Sequence, residues 1–412
     1  MRTNFKLALK ILGRRKFFTF ISLFGISLTL VVLMVATAVL DNLFAPREPE
    51  QNFDRTLGVY RVTLRGKIGT ESMNPGFKFL DTWVRPLPGV EKFGITSEPS
   101  STATYVGGER VDVVWRHTDG AFWQILNFRF RQGRPFTKAE DDSGARVAVI
   151  TDELAQKLFG SASAVGKTIT IQGNAYRVIG VVAAVPITRQ VAWGEMWVPI
   201  GSYPSSDYRT QFMGNFIGLV MAKSAADLPR IRNEYETAMT RIPIPDPASF
   251  NELESHLDTT FESFARPFFR GGARRQGVVL ARGILILVGL LFMALPALNL
   301  ITINLSRILE RSSEIGVRKA FGAPRRSLVS QFVMENVVLT LIGGAIAFAL
   351  SAAAIAMLNN ATLFPNLHFD LNLRIFGYGM LIAVVFGLVS GVYPAWRMSR
   401  LHPVNALRGG AQ

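Results

Sequence analysis

Few residues in this 412-residue chain are spaced for chemistry. Gly160–Thr168 reads Gly-Ser-Ala-Ser-Ala-Val-Gly-Lys-Thr, close to a loop that cradles phosphates with backbone N–H groups. Such a loop needs four residues between its first glycine and Gly-Lys, then a helix whose N-terminus faces the phosphates. Here five residues follow Gly160, Ser161 stands where the glycine is needed, and the β-rich Thr168–Ile171 comes next. The expectation is a Gly166 turn before a strand. His117, His256, His368 and His402 are scattered, with no His-x-x-x-His or His-Glu-x-x-His spacing, and no Gly-x-Ser-x-Gly occurs. Zero cysteines remove thiolate zinc sites, iron–sulfur clusters and a cysteine nucleophile. Asp141-Asp142 lies among Lys138, Glu140 and Ser143, which reads as a solvated loop. No catalytic residue, metal site or cofactor bound by this chain is expected.

Composition points elsewhere. The chain is 49% hydrophobic and only 18% charged, with a mean hydropathy of +0.25, which leans toward membrane. Its 45 Lys and Arg against 30 Asp and Glu leave +15, a charge that suits nucleic acid or a membrane. Placement decides between them. Four apolar runs are long enough for a hydrocarbon core of about 30 Å: 17–40, 283–305, a stretch within 328–357, and 375–396. The third carries one acid, Glu335. Residues 1–16 hold six basic residues, 306–326 hold six against Glu310 and Glu314, and the tail adds Arg397, Arg400 and Arg408. These segments sum to 15 − 2 = +13, whereas residues 41–282 hold 29 basic and 26 acidic residues, +3. By the positive-inside rule both termini and the 306–327 loop are cytoplasmic, and nucleic acid is not a partner.

The expected architecture is therefore a membrane protein with four transmembrane α-helices and a large α+β extracytoplasmic domain between helices 1 and 2. Its parts are a cytoplasmic segment 1–16, spans at 17–40, 283–305, 328–357 and 375–396, an outer domain 41–276, a cytoplasmic loop 306–327, a short outer loop 358–374 and a cytoplasmic tail 397–412. In the outer domain, Val59–Leu64, Val111–Trp115, Arg146–Ile150, Lys167–Ile171 and Tyr176–Val182 are β-rich, and Gln172-Gly173-Asn174 signals a hairpin. Asp152–Phe159 is predicted helical, with Leu154 and Leu158 on one face and Gly160 as its stop, and a second helix is predicted over 226–242. Arg2, Lys6, Lys10 and Arg14 share one face of a helix, and Phe5, Leu9 and Leu12 occupy another. A helix on the anionic inner leaflet and a charged anchor for the first span both fit.

Small residues recur at helical spacing: Gly343, Ala347 and Ser351 in the third span, Gly387 and Gly391 in the fourth. They predict close helix packing, either within one chain or between two. Glu335 suits snorkelling to the inner interface or pairing with a nearby arginine. The loop Glu314-Ile315-Gly316-Val317-Arg318-Lys319-Ala320-Phe321-Gly322-Ala323-Pro324 combines a short amphipathic helix, a glycine stop and a proline restart. It reads as a docking element, or as a solvated positive-inside loop.

At these residues the chain resembles a known family. Residues 303–344, with Glu310-Arg311-Ser312-Ser313-Glu314-Ile315-Gly316-Val317-Arg318-Lys319-Ala320-Phe321-Gly322-Ala323 and Gln331-Phe332-Val333-Met334-Glu335, are similar to MacB/FtsX-type ABC permeases. The ending from Tyr393-Pro394-Ala395 to Pro403-Val404-Asn405-Ala406-Leu407-Arg408 resembles that family's closing pattern, with Ser399 where a small Ala is usual. Gly133-Arg134-Pro135-Phe136 and Val147–Val182 resemble the MacB-type periplasmic core, while 185–275 match loosely. The resemblance implies a non-catalytic inner-membrane permease that pairs with a second permease, identical or paralogous, and with two cytoplasmic ATPases that carry the ATP and Mg. It implies coupling through Glu310, Arg311, Glu314, Ile315, Gly316, Arg318, Lys319, Phe321 and Gly322. It also implies export of amphiphilic cargo by motion of the outer domain, with a periplasmic adaptor and outer-membrane duct as further partners. An FtsX-like scaffold that regulates an envelope hydrolase or a sensor is the alternative. With 16 residues before the first span, the ATPase is expected on a separate chain.

Overall fold

The computed structural model describes residues 16–160, 162–268, 279–291, 294, 325–361, 367 and 369–399. It divides into two compact units. One holds residues 1–42, 279–363 and 368–412; the other holds 43–278 and 364–367. The longer helices, in chain order, are α1 (Lys16–Phe44), α2 (Asp152–Phe159), α3 (Leu228–Met239), α4 (Thr260–Ala265), α5 (Val279–Leu291), α6 (Arg325–Asn360) and α7 (Leu373–Ser399).

Thr19–Phe44, of which residues up to Asn42 belong to the helical unit, and Val333–Asn360 are long and apolar enough to cross a membrane, and Val279–Leu291 and Leu373–Val389 are shorter apolar helices. Helices α1, α6 and α7 share an apolar seam in which Ile26 and Leu30 meet Ala347, Ile382, Ala383 and Phe386. The charged 1–15 segment lies outside the described residues, as do 295–305 of the second apolar run.

The second unit is built on two sheets, whose strands are numbered in chain order. The smaller contains β2 (Val62–Gly66), β3 (Gly69–Pro75), β12 (Met213–Gly214) and β14 (Phe250–Ser255), in the order β12-β3-β2-β14. The larger contains β1 (Thr56–Val59), β4 (Val90–Ser97), β5 (Ser100–Val106), β6 (Glu109–Thr118), β7 (Phe130–Gly133), β8 (Val147–Thr151), β9 (Thr168–Ile171), β10 (Asn174–Val182), β11 (Met196–Pro199) and β13 (Phe216–Ala222). Its order is β1-β13-β4-β6-β11-β8-β10-β7, with β5 on β6 and β9 on β10. The mixed pairing, with β10–β8 and β11–β6 parallel, fits the α+β expectation.

Alternation along the buried strands builds a core on each face. Along β8, Val147 and Val149 join one apolar cluster and Ala148 and Ile150 join another. Leu154 and Leu158 of α2 cover the second cluster. Thr151 caps α2 by accepting the Leu154 N–H at 3.1 Å, and Gly160 ends it with φ 63°. The β9–β10 hairpin turns on Gln172 and Gly173 with φ of 50° and 78°, the two positive values that a type I′ turn requires.

Three expectations change. Asp141-Asp142, expected in a solvated loop, ends a short helix over Lys138–Asp142 capped by Thr137, and Asp141 accepts the Gly201 N–H at 2.9 Å. The run Val59–Leu64 is not one strand: the chain breaks at Tyr60-Arg61, and β1 pairs with β13 while β2 pairs with β14. The predicted 226–242 helix is regular only over Leu228–Met239, after a 3-10 turn at Ala225–Asp227, because Pro229 suits a first turn and not a helix interior.

Candidate functional site

The nine residues expected to couple to an ATPase, Glu310, Arg311, Glu314, Ile315, Gly316, Arg318, Lys319, Phe321 and Gly322, lie outside the described residues. Gly160–Thr168 contains a turn at Gly166, with φ 90°, and then enters β9. A phosphate loop needs a helix there, so the segment has no dipole-bearing N-terminus to face a phosphate.

The small-residue stripes are placed within one chain. A Cβ at Gly343 would lie 2.9 Å from Ile26 Cγ2, and one at Gly379 would lie 3.2 Å from Leu33 Cδ2, so α1 approaches both α6 and α7 closely. At Gly387 a Cβ would lie 2.8 Å from Thr340 Oγ1 of α6. Ala347 and Ser351 are fully buried, and Gly391 lies one turn beyond Gly387 on α7. Polar groups reinforce the α6–α7 contact: Asn336 Nδ2 donates to Gly387 O at 3.2 Å, and Thr340 Oγ1 donates to Asn336 O at 2.9 Å. Glu335 and Asn336 are both 2% exposed. Packing of backbones against small residues, with interhelical hydrogen bonds, is how helices associate where lipid is as apolar as leucine.

The second unit, residues 43–278, buries a polar cluster that the sequence does not announce. Arg116 of β6 is fully buried, and its guanidinium donates to three backbone oxygens: Ser97 O at 2.9 Å, Trp193 O at 2.5 Å, and Gln190 O. Burial lowers its pKa to about 10, opposed by Glu98 and Glu50, so it remains a cation at neutral pH. Arg189 is 3% exposed and donates to Ala45 O at 2.7 Å, with Nη1 3.6 Å from Glu50 Oε2. Glu50 is 2% exposed, and its Oε1 accepts the Ala192 N–H at 3.2 Å. Burial pushes the Glu50 carboxyl up to about 7, against the lowering by Arg189 and the backbone of Ala192 and Val191. Nearby in sequence, His117 stacks on Tyr203 at 3.7 Å with Nε2 unpartnered, and burial drops its pKa to about 3. Asp119 accepts the Phe122 N–H at 2.9 Å, and burial raises it to about 7.

None of these groups forms a nucleophile with its base. Among the described residues no three His, Asp or Glu side chains gather as a metal site. Arg116 and Arg189 donate to backbone carbonyls, and Glu50 and Asp119 accept backbone N–H groups, so these side chains hold chain segments in place. The one signal for it in the sequence is a lone arginine inside an apolar β-rich run, Trp115-Arg116-His117.

Comparison with known proteins identifies the family. Residues 19–238 match the model of the MacB-like periplasmic core domain, and 286–403 match the FtsX-like permease C-terminal model. The uncharacterized ABC transporter permease YknZ of Bacillus subtilis is 26% identical over 340 residues, covering 80% of this chain and 79% of that protein. The macrolide export ATP-binding/permease protein MacB of Bdellovibrio bacteriovorus is 28% identical, over 67% of this chain but 41% of its own length. Among solved structures, the extracellular domain of a YknZ transporter from Gram-positive bacteria aligns at 18% identity and a TM-score of 0.34, covering 48% of this chain and 98% of that one. The chain belongs to the MacB/FtsX-type ABC transporter permeases.

Proposed function

We propose that the chain is the permease subunit of a MacB-like ATP-driven exporter that moves its outer domain to expel amphiphilic cargo, a drug, peptide, siderophore or lipid-like molecule. The observation that carries this reading is the pairing, in one chain, of a MacB-like periplasmic core match over 19–238 with an FtsX-like permease match over 286–403. In this reading four helices cross the inner membrane, both termini face the cytoplasm, and residues 41–276 work outside it. Two ATPase subunits bind ATP and Mg and dock on the 306–327 loop. A second permease, identical or paralogous, completes the assembly, and an adaptor and outer-membrane duct receive the cargo. The charge asymmetry supports the orientation, since the cytoplasmic segments hold +13 and the outer domain with its return only +3.

An FtsX-like scaffold, which passes ATP-driven motion to an envelope hydrolase or sensor, draws on the same 286–403 match. The MacB-like match to the outer domain favours export. The test is ATP hydrolysis by the co-expressed complex in lipid nanodiscs. Glu314→Ala with Arg318→Ala abolishes the permease-dependent stimulation while leaving membrane insertion intact. A double variant with wild-type stimulation refutes the coupling assignment.

A further inference from the structure

The segment that continues α1 into the second unit is held by an unusual set of bonds. Helix α1 runs through Phe44, whose ring packs edge-on to Phe261 at 5.2 Å and tilts on Phe264 at 5.9 Å. The next carbonyl, Ala45 O, accepts from Arg189, and Glu50 five residues on faces the same guanidinium. Arg189 sits in the connection between β10 and β11, a loop that closes on itself through Arg189 N to Pro186 O at 3.0 Å and Trp193 N to Arg189 O at 2.6 Å. Glu50 grips that loop again at the Ala192 N–H. Arg116 then fastens the loop, by two of its carbonyls, to β6 in the interior of the ten-stranded sheet. A series of buried and part-buried polar contacts thus runs from Ala45, the residue after α1, to the middle of the sheet.

Apolar side chains would hold this loop as tightly at lower desolvation cost, because each buried ion forfeits its hydration. Ionic and hydrogen-bonded contacts differ in being directional: they fix where a segment sits and not merely that it is buried. We propose that Arg189 is a positioning residue, a clasp that with Glu50 and Arg116 makes residues 45–50 move as one body with the ten-stranded sheet, so that displacement of the first helix reaches the outer domain. This rests on the exporter reading, in which ATP drives that displacement. Arg189 suits the role because its Nη1, which donates to the Ala45 carbonyl and faces the Glu50 carboxyl, is held at the end of a planar guanidinium whose reach and fixed plane a lysine ammonium lacks.

The test uses the full chain with its co-purified ATPase in lipid nanodiscs. The chain has no cysteine, so Glu109→Cys at the exposed β5–β6 turn takes a single spin label, and the distance between labels on the two permeases is read with and without ATP and vanadate. Without the clasp substitutions the nucleotide shifts this distance. With Arg189→Lys, and separately Glu50→Gln, ATP hydrolysis stays within about twofold while the distance shift falls to about a third or less. Leu158→Ala, which destabilises the apolar cluster under α2 and not the one that holds the clasped loop, keeps the shift. Should Glu50→Gln fail to fold, Arg189→Lys decides. An undiminished shift in Arg189→Lys overturns the clasp and leaves the exporter reading standing. Loss of the shift in Leu158→Ala as well also overturns it, because general stability then explains the effect. No nucleotide-dependent shift in the protein carrying the label alone overturns the exporter reading, and the clasp with it.

Discussion

Substituting Gly387 tests the helical unit most sharply. A Cβ there would lie 2.8 Å from Thr340 Oγ1, well inside the 3.4–4 Å of ordinary van der Waals contact. Thr340 is fully buried and its hydroxyl is committed to Asn336 O at 2.9 Å, so it cannot swing aside without losing that bond. Helices α6 and α7 must instead separate by about 0.5–1 Å, which forfeits about a quarter to a half of the dispersion energy along the seam. Overpacking of this kind costs about 1–3 kcal/mol, and loosening the Asn336 bond to Gly387 O adds about 0.6 kcal/mol. Against that, alanine gains about 1 kcal/mol over glycine within a helix. Gly387→Ala is therefore destabilised by about 1–2 kcal/mol, and Gly387→Leu by more. In detergent, the apparent midpoint of thermal unfolding falls by about 2–8 °C for the alanine variant. Thr340→Ala removes the obstructing hydroxyl, so combining the two costs less than their sum by about 1 kcal/mol. Additive losses, or a Gly387→Ala midpoint at or above wild type, would refute close packing at this position.

Further outcomes follow from the same geometry. Gly343→Ala destabilises the helical unit, because its Cβ would meet Ile26 at 2.9 Å, and Ile26→Ala relieves part of the loss in the same unfolding assay. Thr151→Ala leaves the Leu154 N–H of α2 uncapped and lowers stability by about 0.5–2 kcal/mol in denaturant titration of the full chain. The Asp119 carboxyl is raised by burial to about 7, so its contribution is fully present below its ordinary value near 4 and is lost as pH rises through 7. Asp119→Asn keeps an oxygen for the Phe122 N–H and flattens that loss, which unfolding midpoints between pH 5 and pH 8 measure; an unchanged slope refutes the assignment.

The legible parts of this fold are those encoded locally. The Gln172-Gly173 turn, the Leu154 and Leu158 face of α2 with its Gly160 stop, and the long apolar runs each lie within a few residues of their own signal. Strand β13, Phe216–Ala222, is buried at every position and carries no alternation, so a continuous apolar run alone did not mark it as a strand. The Glu50–Arg189 cluster was invisible for a different reason. Its partners are 139 residues apart and become neighbours only when β11 enters the sheet beside β6. The stripe of Gly343, Ala347, Ser351 and Gly387 was visible, whereas its partners Ile26 and Thr340 were not, because spacing names a face and not what covers it.

The central claim is that this permease works with an ATPase through the 306–327 loop. Affinity purification of the full chain from its native membrane, with crosslinking from that loop and mass spectrometry of the captured chains, tests it directly. The account predicts recovery of a P-loop ATPase with the wild-type chain and its loss with Glu314→Ala and Arg318→Ala. Absence of any ATPase after crosslinking through the wild-type loop would contradict it.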